Sequence, residues 1–334
     1  MEHLEHIKTL QHAIQYFSDE QTCIDTVARL RWADGKPTCP ACGHQDHYYL
    51  AKQKRWKCKE CYKQFTVKLG TIFEDSPIPL QKWLPALWML VNCRNGISSY
   101  EIQRDLGVSQ KAGWFMLQRL RLALQDKNTG GKLGGGNKSG SGAPSKVEID
   151  ETFIGGKARN MHKSRRDRMT TYGSKTAVMG MLERGGKVRA HVIGKRRGSQ
   201  MQEIVRENVA PGTWLMTDEF GGYAGLGKDY THLVVNHLER YVQGNVHTQG
   251  IENFWSCLKR SLGGTYIAVE PFHLFRYVDE QAFRFNNRKD ADGKRLSDPQ
   301  RFALALSQVA GKRLTFAEVT GKTQDAAATT PEPF

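Results

Sequence analysis

Apolar and polar positions change rhythm several times along this chain. Residues 1–30, opening MEHLEHIKTLQHAIQYF, repeat apolar side chains at helical steps and predict an N-terminal helical segment. Short alternating runs replace it over 31–75. There HYYLAKQKRWKC reads as strands and QFTV (64–67) as another. The helical period returns over 76–126, where LQKWLPALWMLVNC is apolar enough for a core helix. Ser98 and Glu101 then have the spacing of a capping box, Gly107 and Val108 make a turn, and Ser109 caps QKAGWFMLQRLRLALQ. Helix, glycine-containing turn, helix predicts a helix-turn-helix.

Residues 127–145 hold seven glycines and almost nothing apolar, which predicts a flexible Gly/Ser-rich linker. Beyond it, over 146–290, apolar runs predict strands at 147–154, 175–183, 187–194, 213–217 and 231–235. Helical patterns occupy 199–208 and 220–226, followed by one long helical region at 249–285. Three successive strands, then strands alternating with helices, predict an α/β unit with a mixed sheet flanked by helices. Residues 291–334 form a C-terminal extension whose last fifteen residues, TGKTQDAAATTPEPF, have the composition of a disordered tail.

Length and charge narrow the function. The 334 residues suffice for two or three domains. Lys and Arg number 49 against 34 Asp and Glu, a net charge of +15 that suits a polyanion such as DNA. No run of 18 apolar residues predicts a membrane span, the polar N-terminus is unlike a signal peptide, and a cytoplasmic location is expected. Four of the seven cysteines form Cys39-x-x-Cys42 and, after fifteen residues, Cys58-x-x-Cys61. Two such knuckles offer four thiolates to one structural Zn2+, the pattern of a zinc ribbon. His44 and His47 are alternative ligands or surface residues. Cys23, Cys93 and Cys257 stand alone and read as packing residues.

Three acids carry the candidate chemistry. Asp150 ends an apolar strand, KVEID, and leaves it on the same face as Glu148. Asp218 lies just past a second, TWLMT. Glu252 opens a helix whose apolar stripe is Ile251, Phe254, Trp255, Leu258 and Leu262. At about 100° per residue Glu252 falls on the border of that stripe, whereas Asn253 falls opposite it. Lys259 follows Glu252 two turns along the same face. Carboxylates brought together in this way hold divalent ions of the magnesium class, and a nearby lysine suits a phosphate. Gln110, Lys111, Trp114 and Gln118, on the second helix of the helix-turn-helix, are candidate DNA contacts. So are Lys157, Arg159, Lys163, Arg165, Arg166 and Arg168, which face a single acid, and the cluster Lys195, Arg196 and Arg197.

The stretches CPACG…KCKECYKQFTVKLGTIFEDSPIPLQKW, VEIDETFIGGK, LMTDEF, HTQGIENFWSCLKRSLGGTY and FRFNNR (283–288) together resemble bacterial insertion-sequence transposases of the DDE type, in the ISXO2-like (IS1595) group. The resemblance spans roughly residues 39–288. It implies an RNase H-like catalytic domain in which Asp150, Asp218 and Glu252 bind two Mg2+ (or Mn2+) ions, with Lys259 beside them. Some members carry Asn and then Lys at the third position, so Asn253 stands as the alternative. The implied reaction is metal-assisted cleavage at the element's ends, then attack of the freed 3′-hydroxyl on target DNA, without a covalent enzyme intermediate. Its partners are terminal inverted repeats, target DNA and a second copy of the chain. His237 and His247 flank the third motif in a phosphate-contacting, proton-shuttling or structural role. Two other readings stay open: a DNA-binding regulator with an inactive RNase H-like domain, and a nuclease without strand transfer.

Overall fold

A computed structural model of the chain describes residues 4–32, 34–125, 131–135, 144–156, 175–194, 197–218, 221–234, 248–290 and 292–322. They fall into two compact units, one of Met1–Gln125 with Asn287–Ala328, the other of Asp126–Asn286 with Thr329–Phe334.

The first unit opens with α1 (Leu10–Tyr16) and α2 (Glu20–Arg31), whose first turns are capped by the side chains of Thr9 and Asp19. An antiparallel ribbon follows: β1 (His47–Leu50), β2 (Arg55–Cys58) and β3 (Gln64–Phe65). Strands this short bury little, so one aromatic cluster serves as their core. Trp56 lies edge-on to Trp32 at 5.4 Å and stacks on Phe65 at 5.8 Å. The predicted core helix is α3 (Leu80–Asn92), buried from Trp83 to Val91. Next come α4 (Ser99–Leu106) and α5 (Gln110–Leu124). The capping box forms in both directions: Ser98 Oγ accepts from the Glu101 N–H, and Glu101 Oε2 from the Ser98 N–H. Gly107 ends α4 at φ +59°, a conformation glycine adopts without strain. At the crossing of α4 and α5, a Cβ on Gly113 would lie 3.0 Å from the Ser99 carbonyl oxygen.

The second unit is built on one five-stranded sheet: β4 (Lys146–Ile154), β5 (Thr176–Glu183), β6 (Val188–Ile193), β7 (Trp214–Thr217) and β8 (Thr231–Val234). Its spatial order is β6-β5-β4-β7-β8. β4, β5 and β6 run antiparallel, while β7 and β8 add parallel to β4. An antiparallel meander extended by two parallel strands from its first member is the RNase H-like arrangement. Between β6 and β7 lies α6 (Gly198–Asn208), which packs Met201 and Val205 against Val147, Ile149 and Leu215 on one face of the sheet. The other face is covered by α7 (Gln249–Ser261) and α8 (Leu274–Asn286), whose Ile251, Phe254, Trp255 and Val278 meet Val178, Leu182 and Val188. Strand alternation therefore sends Val147 and Ile149 towards α6, and Glu148 and Asp150 towards α7.

Three expectations need correcting. The single helical region at 249–285 is two helices, separated by a π-turn (Leu262–Tyr266) and a 3-10 turn (Pro271–His273). Gly263, Gly264 and Pro271 give the physical reason, since neither residue type sustains a helix interior. The short helix expected at 220–226 is a 3-10 turn, Gly221–Lys228. Within the glycine-rich stretch, Leu133 is buried in the α6-side core, and its N–H bonds the Asn208 carbonyl at 2.8 Å. One leucine anchors a segment whose composition reads as free linker.

The chain then returns to the first unit through α9 (Asp298–Ser307) and the single turn α10 (Phe316–Val319). Phe302 of α9 sits against both Phe17 and Trp88, at 5.6 and 5.4 Å. The C-terminal extension thus completes the N-terminal core. The expected disordered tail lies outside the described residues from 323 onward. Among the described residues no helix is long and apolar enough to cross a membrane.

Candidate active site

The parallel pairing of β4 with β7 matches Glu148 to Met216. Two residues further, the same register brings Asp150 beside Asp218, both half-buried. Ligand oxygens of Asp150, Asp218 and the adjacent Glu151 all lie within 4.8 Å of one another. Metal–oxygen bonds of about 2.0–2.6 Å let one hard divalent cation bridge such a set. The Asp150 carboxylate is held from two sides. Its Oδ1 accepts the Glu151 N–H at 2.8 Å and its Oδ2 the Trp255 indole N–H at 3.0 Å. Burial nonetheless pushes its pKa above the ordinary 3.8, those two donors oppose the shift, and the charges of Asp218 and Glu252 add to it. A cation at this point would relieve both burial and repulsion.

Glu252 stands across an open hollow of about 420 Å³, lined by Asp150, Glu151, Thr152, Glu252, Trp255, Ser256 and Lys259. Glu252 and Lys259 therefore share the hollow with Asp150, as their two-turn spacing on α7 requires. Asn253 is exposed on the same helix, outside that lining, and accepts from Cys257 Sγ at 3.6 Å. Glu252 itself lies outside the tighter cluster, where Glu151 takes the third place.

Glu151 was missed in the sequence because strand alternation turns it away from Asp150. It does point to the α6 side, where the Tyr223 hydroxyl donates to it. Tyr223 is fully buried, and burial, followed by the Glu151 charge, holds its pKa well above the ordinary tyrosine value. It remains a proton donor that steadies Glu151. The signal available in the sequence was the doublet itself, Asp150-Glu151.

The second candidate centre is the ribbon's thiol cluster. Sγ atoms of Cys39, Cys42, Cys58 and Cys61 lie within 4.8 Å of one another, with Cys39–Cys61 and Cys42–Cys58 each at 3.6 Å. Four sulfurs at ~2.3 Å from one zinc ion stand about 3.8 Å apart, so the set fits Zn2+. Burial opposes ionisation of Cys39, but the Ala41 and Cys42 amides and neighbouring thiols bring it down to about 7. At Cys42 the His44 amide favours the thiolate, yet desolvation and the other three thiols push it up to about 12. Thiols this close do not all ionise without a cation between them. His44 is exposed, and His47 Nδ1 pairs with the Gln45 carbonyl at 2.8 Å. Of the lone cysteines, Cys23 is buried and Cys257 half-buried, but Cys93 is exposed, contrary to a packing role.

The candidate DNA contacts on α5 divide. Lys111 is exposed, with Nζ 4.7 Å over the Phe316 ring. Gln110 donates to Ser99 Oγ at 2.9 Å, and Trp114 is half-buried. Gln118 is fully buried and cannot touch DNA in this fold. The reason is that α5 becomes a core helix from Met116 onward, burying even Arg119 and Arg121. Arg197 is exposed at the N-terminus of α6. Lys157, Arg159, Lys163, Arg165, Arg166, Arg168, Lys195 and Arg196 lie outside the described residues, as do His237 and His247.

An RNase H-like sheet that carries Asp150 midway along β4, not at its end as expected, and Asp218 just past β7 occurs here in one chain with a four-cysteine ribbon. Residues 141–286 match the ISXO2-like transposase domain, and residues 18–64 the transposase zinc-ribbon domain. The chain belongs to this family of insertion-sequence transposases. It is 27% identical over 266 residues to an uncharacterized protein in transposable element ISH50 of Halobacterium salinarum, covering 75% of this chain and 85% of that one. It is 30% identical over 102 residues to an uncharacterized transposase-like protein of Haemophilus influenzae, covering 30% of this chain and 82% of that protein. Among solved structures, a simian T-cell lymphotropic virus intasome in complex with PP2A regulatory subunit B56 gamma aligns at TM-score 0.30 and 10% identity, over 62% of this chain and 70% of that one. The Mos1 strand transfer complex aligns at TM-score 0.24 and 13% identity, over 67% and 82%. Backbone likeness this low carries no argument about chemistry.

Proposed function

We propose that this chain is a DDE transposase that cleaves DNA at insertion-sequence ends and joins the freed 3′ ends to target DNA. One observation carries the reading: Asp150 and Asp218 meet at neighbouring parallel strands, with Glu252 and Lys259 lining the hollow in front of Asp150. Apart from Lys259 and Trp255, the side-chain donors lining that hollow are oxygens, which favours Mg2+ or Mn2+ over softer ions. Two such ions, when bound, supply acidification of the attacking hydroxyl and charge relief on the leaving oxygen. Asp150, oriented by Trp255 and the Glu151 amide, would be one of their ligands. Asp218 and Glu252 complete the triad from β7 and α7, and Glu151 adds a fourth carboxylate. Glu252 is preferred to Asn253 because it faces the hollow. Lys259 neutralises a phosphate at the rim. A structural Zn2+ on Cys39, Cys42, Cys58 and Cys61 holds the ribbon.

DNA is the partner. Lys111 and Gln110 on α5, together with Arg197 and the basic cluster before it, contact its backbone, and two or more copies of the chain pair the element's ends. The test is an oligonucleotide carrying the element's terminal repeat, with Mg2+ and a target plasmid. Wild-type protein yields nicked ends and joined products. Asp150→Asn and Asp218→Asn lose both while DNA binding persists. Cleavage that survives both substitutions refutes the proposal, and cleavage without joining leaves a nuclease.

A further inference from the structure

Glu148 is a buried carboxylate that the proposed chemistry does not use. It is 1% exposed, two residues before Asp150 on the same face of β4. Both of its oxygens are engaged. Oε1 accepts from Arg184 Nε at 2.7 Å, and Oε2 accepts the Ile251 backbone N–H at 3.0 Å. Ile251 belongs to the first turn of α7 and directly precedes Glu252.

The first turn of a helix has N–H groups without intrahelical partners, normally met by the N-cap side chain. Here the N-cap, Thr248, makes no such bond, and its hydroxyl points to Glu252 Oε1 at 3.4 Å. A strand carboxylate takes over the capping, at the helix end where negative charge is favoured. Gly250 makes the approach possible. A Cβ there would lie 2.8 Å from Glu148 Oε2 and 2.6 Å from Leu182 Cδ2. Apolar contacts alone let a helix slide on a sheet, whereas a charged bond to one amide sets its register.

We infer that Glu148 is a positioning residue that fastens the first turn of α7 to β4 and so sets Glu252 opposite Asp150. The inference rests on the reading of Glu252 as a metal ligand. The zinc-loaded full-length chain tests it, with Mn2+ affinity measured by calorimetry and amide exchange measured in the first turn of α7. Glu148→Gln is expected to melt cooperatively, to speed exchange at Ile251, and to weaken Mn2+ binding about tenfold, as loss of a residue supporting a metal ligand does. In a Glu252→Ala background the same change should weaken Mn2+ binding no further. Unchanged exchange and affinity in Glu148→Gln overturn the inference, and so does an equal loss with Glu252 absent, which marks a merely structural role. If Glu252→Ala alone leaves Mn2+ affinity intact, it is the metal-ligand reading that fails, and the inference falls with it. Should Glu148→Gln not fold, Arg184→Gln carries the same measurement. It loosens Glu148 without removing the Ile251 bond, and a smaller loss in the same direction is expected. No loss overturns the inference.

Discussion

The indole N–H of Trp255 bonds Asp150 Oδ2 at 3.0 Å, across the space left by Gly180. Gly180 is the residue of β5 paired with Asp150, and a Cβ on it would lie 2.6 Å from Trp255 Cζ2. The missing side chain lets the ring lie flat enough to reach the carboxylate. Trp255→Phe keeps most of the packing and removes the donor. Metal-dependent cleavage should fall about tenfold with the melting temperature little changed. Gly180→Ala should displace the ring and destabilise the unit by roughly 1–3 kcal/mol, read by thermal melting. Equal activity in wild type and Trp255→Phe would remove the indole from the site's account.

Zinc should control the ribbon separately from the carboxylates. With strands this short, the Trp32–Trp56–Phe65 cluster is the ribbon's apolar core, and a zinc ion on the four thiols would supply the rest of its cohesion. Chelation, or Cys58→Ser, should redshift tryptophan emission and open amide exchange over 39–65. Emission that ignores chelator would contradict a structural zinc.

Two histidines predict acid sensitivity. Burial holds His191 below the ordinary 6.5, helped by the Arg189 charge and opposed by Asn208, and burial does the same to His232. The His232 ring nitrogen Nε2 lies 2.8 Å from Thr217 Oγ1, next to Asp218. The folded chain binds these protons less tightly than the unfolded chain. Their contribution is therefore complete above 6.5 and is lost as pH falls from there towards the lowered folded values. Melting temperature should drop between about pH 7 and 5.5, and His191→Gln with His232→Gln should flatten that slope. A wild-type curve as flat as the double variant's would count against it.

Position on α5 separates DNA contact from packing. Lys111→Ala should weaken DNA binding for all sequences and reduce the salt slope by about one. Gln118→Ala should lower stability and leave affinity per folded molecule unchanged, because that side chain is buried. The reverse pattern in filter binding and melting would reinstate Gln118 at the interface.

Much of this was legible in the residues. Apolar runs ending in acid located Asp150 and Asp218, although only β7 stops at its acid and β4 runs on past Asp150 to Ile154. The 3.6-residue period favours Glu252 over Asn253 by its place at the border of the apolar stripe, and of the two only Glu252 lines the hollow. The doubled Cys-x-x-Cys placed the thiol cluster. What escaped depends on distant partners. Glu151 joins the site only because β7 ends alongside it. Leu133 looks like linker until the α6-side core is assembled around it. Phe302 belongs to a core whose other rings, Phe17 and Trp88, lie more than two hundred residues earlier. Gln118 is polar, yet its helix turns inward at Met116, two residues before it.

The most direct test is anomalous scattering from crystals grown with Mn2+. Peaks bounded by the carboxylates of Asp150, Asp218 and Glu252, and lost in Asp150→Asn, are the expected result. Manganese bound elsewhere, with that hollow empty at saturating ion, would contradict the account.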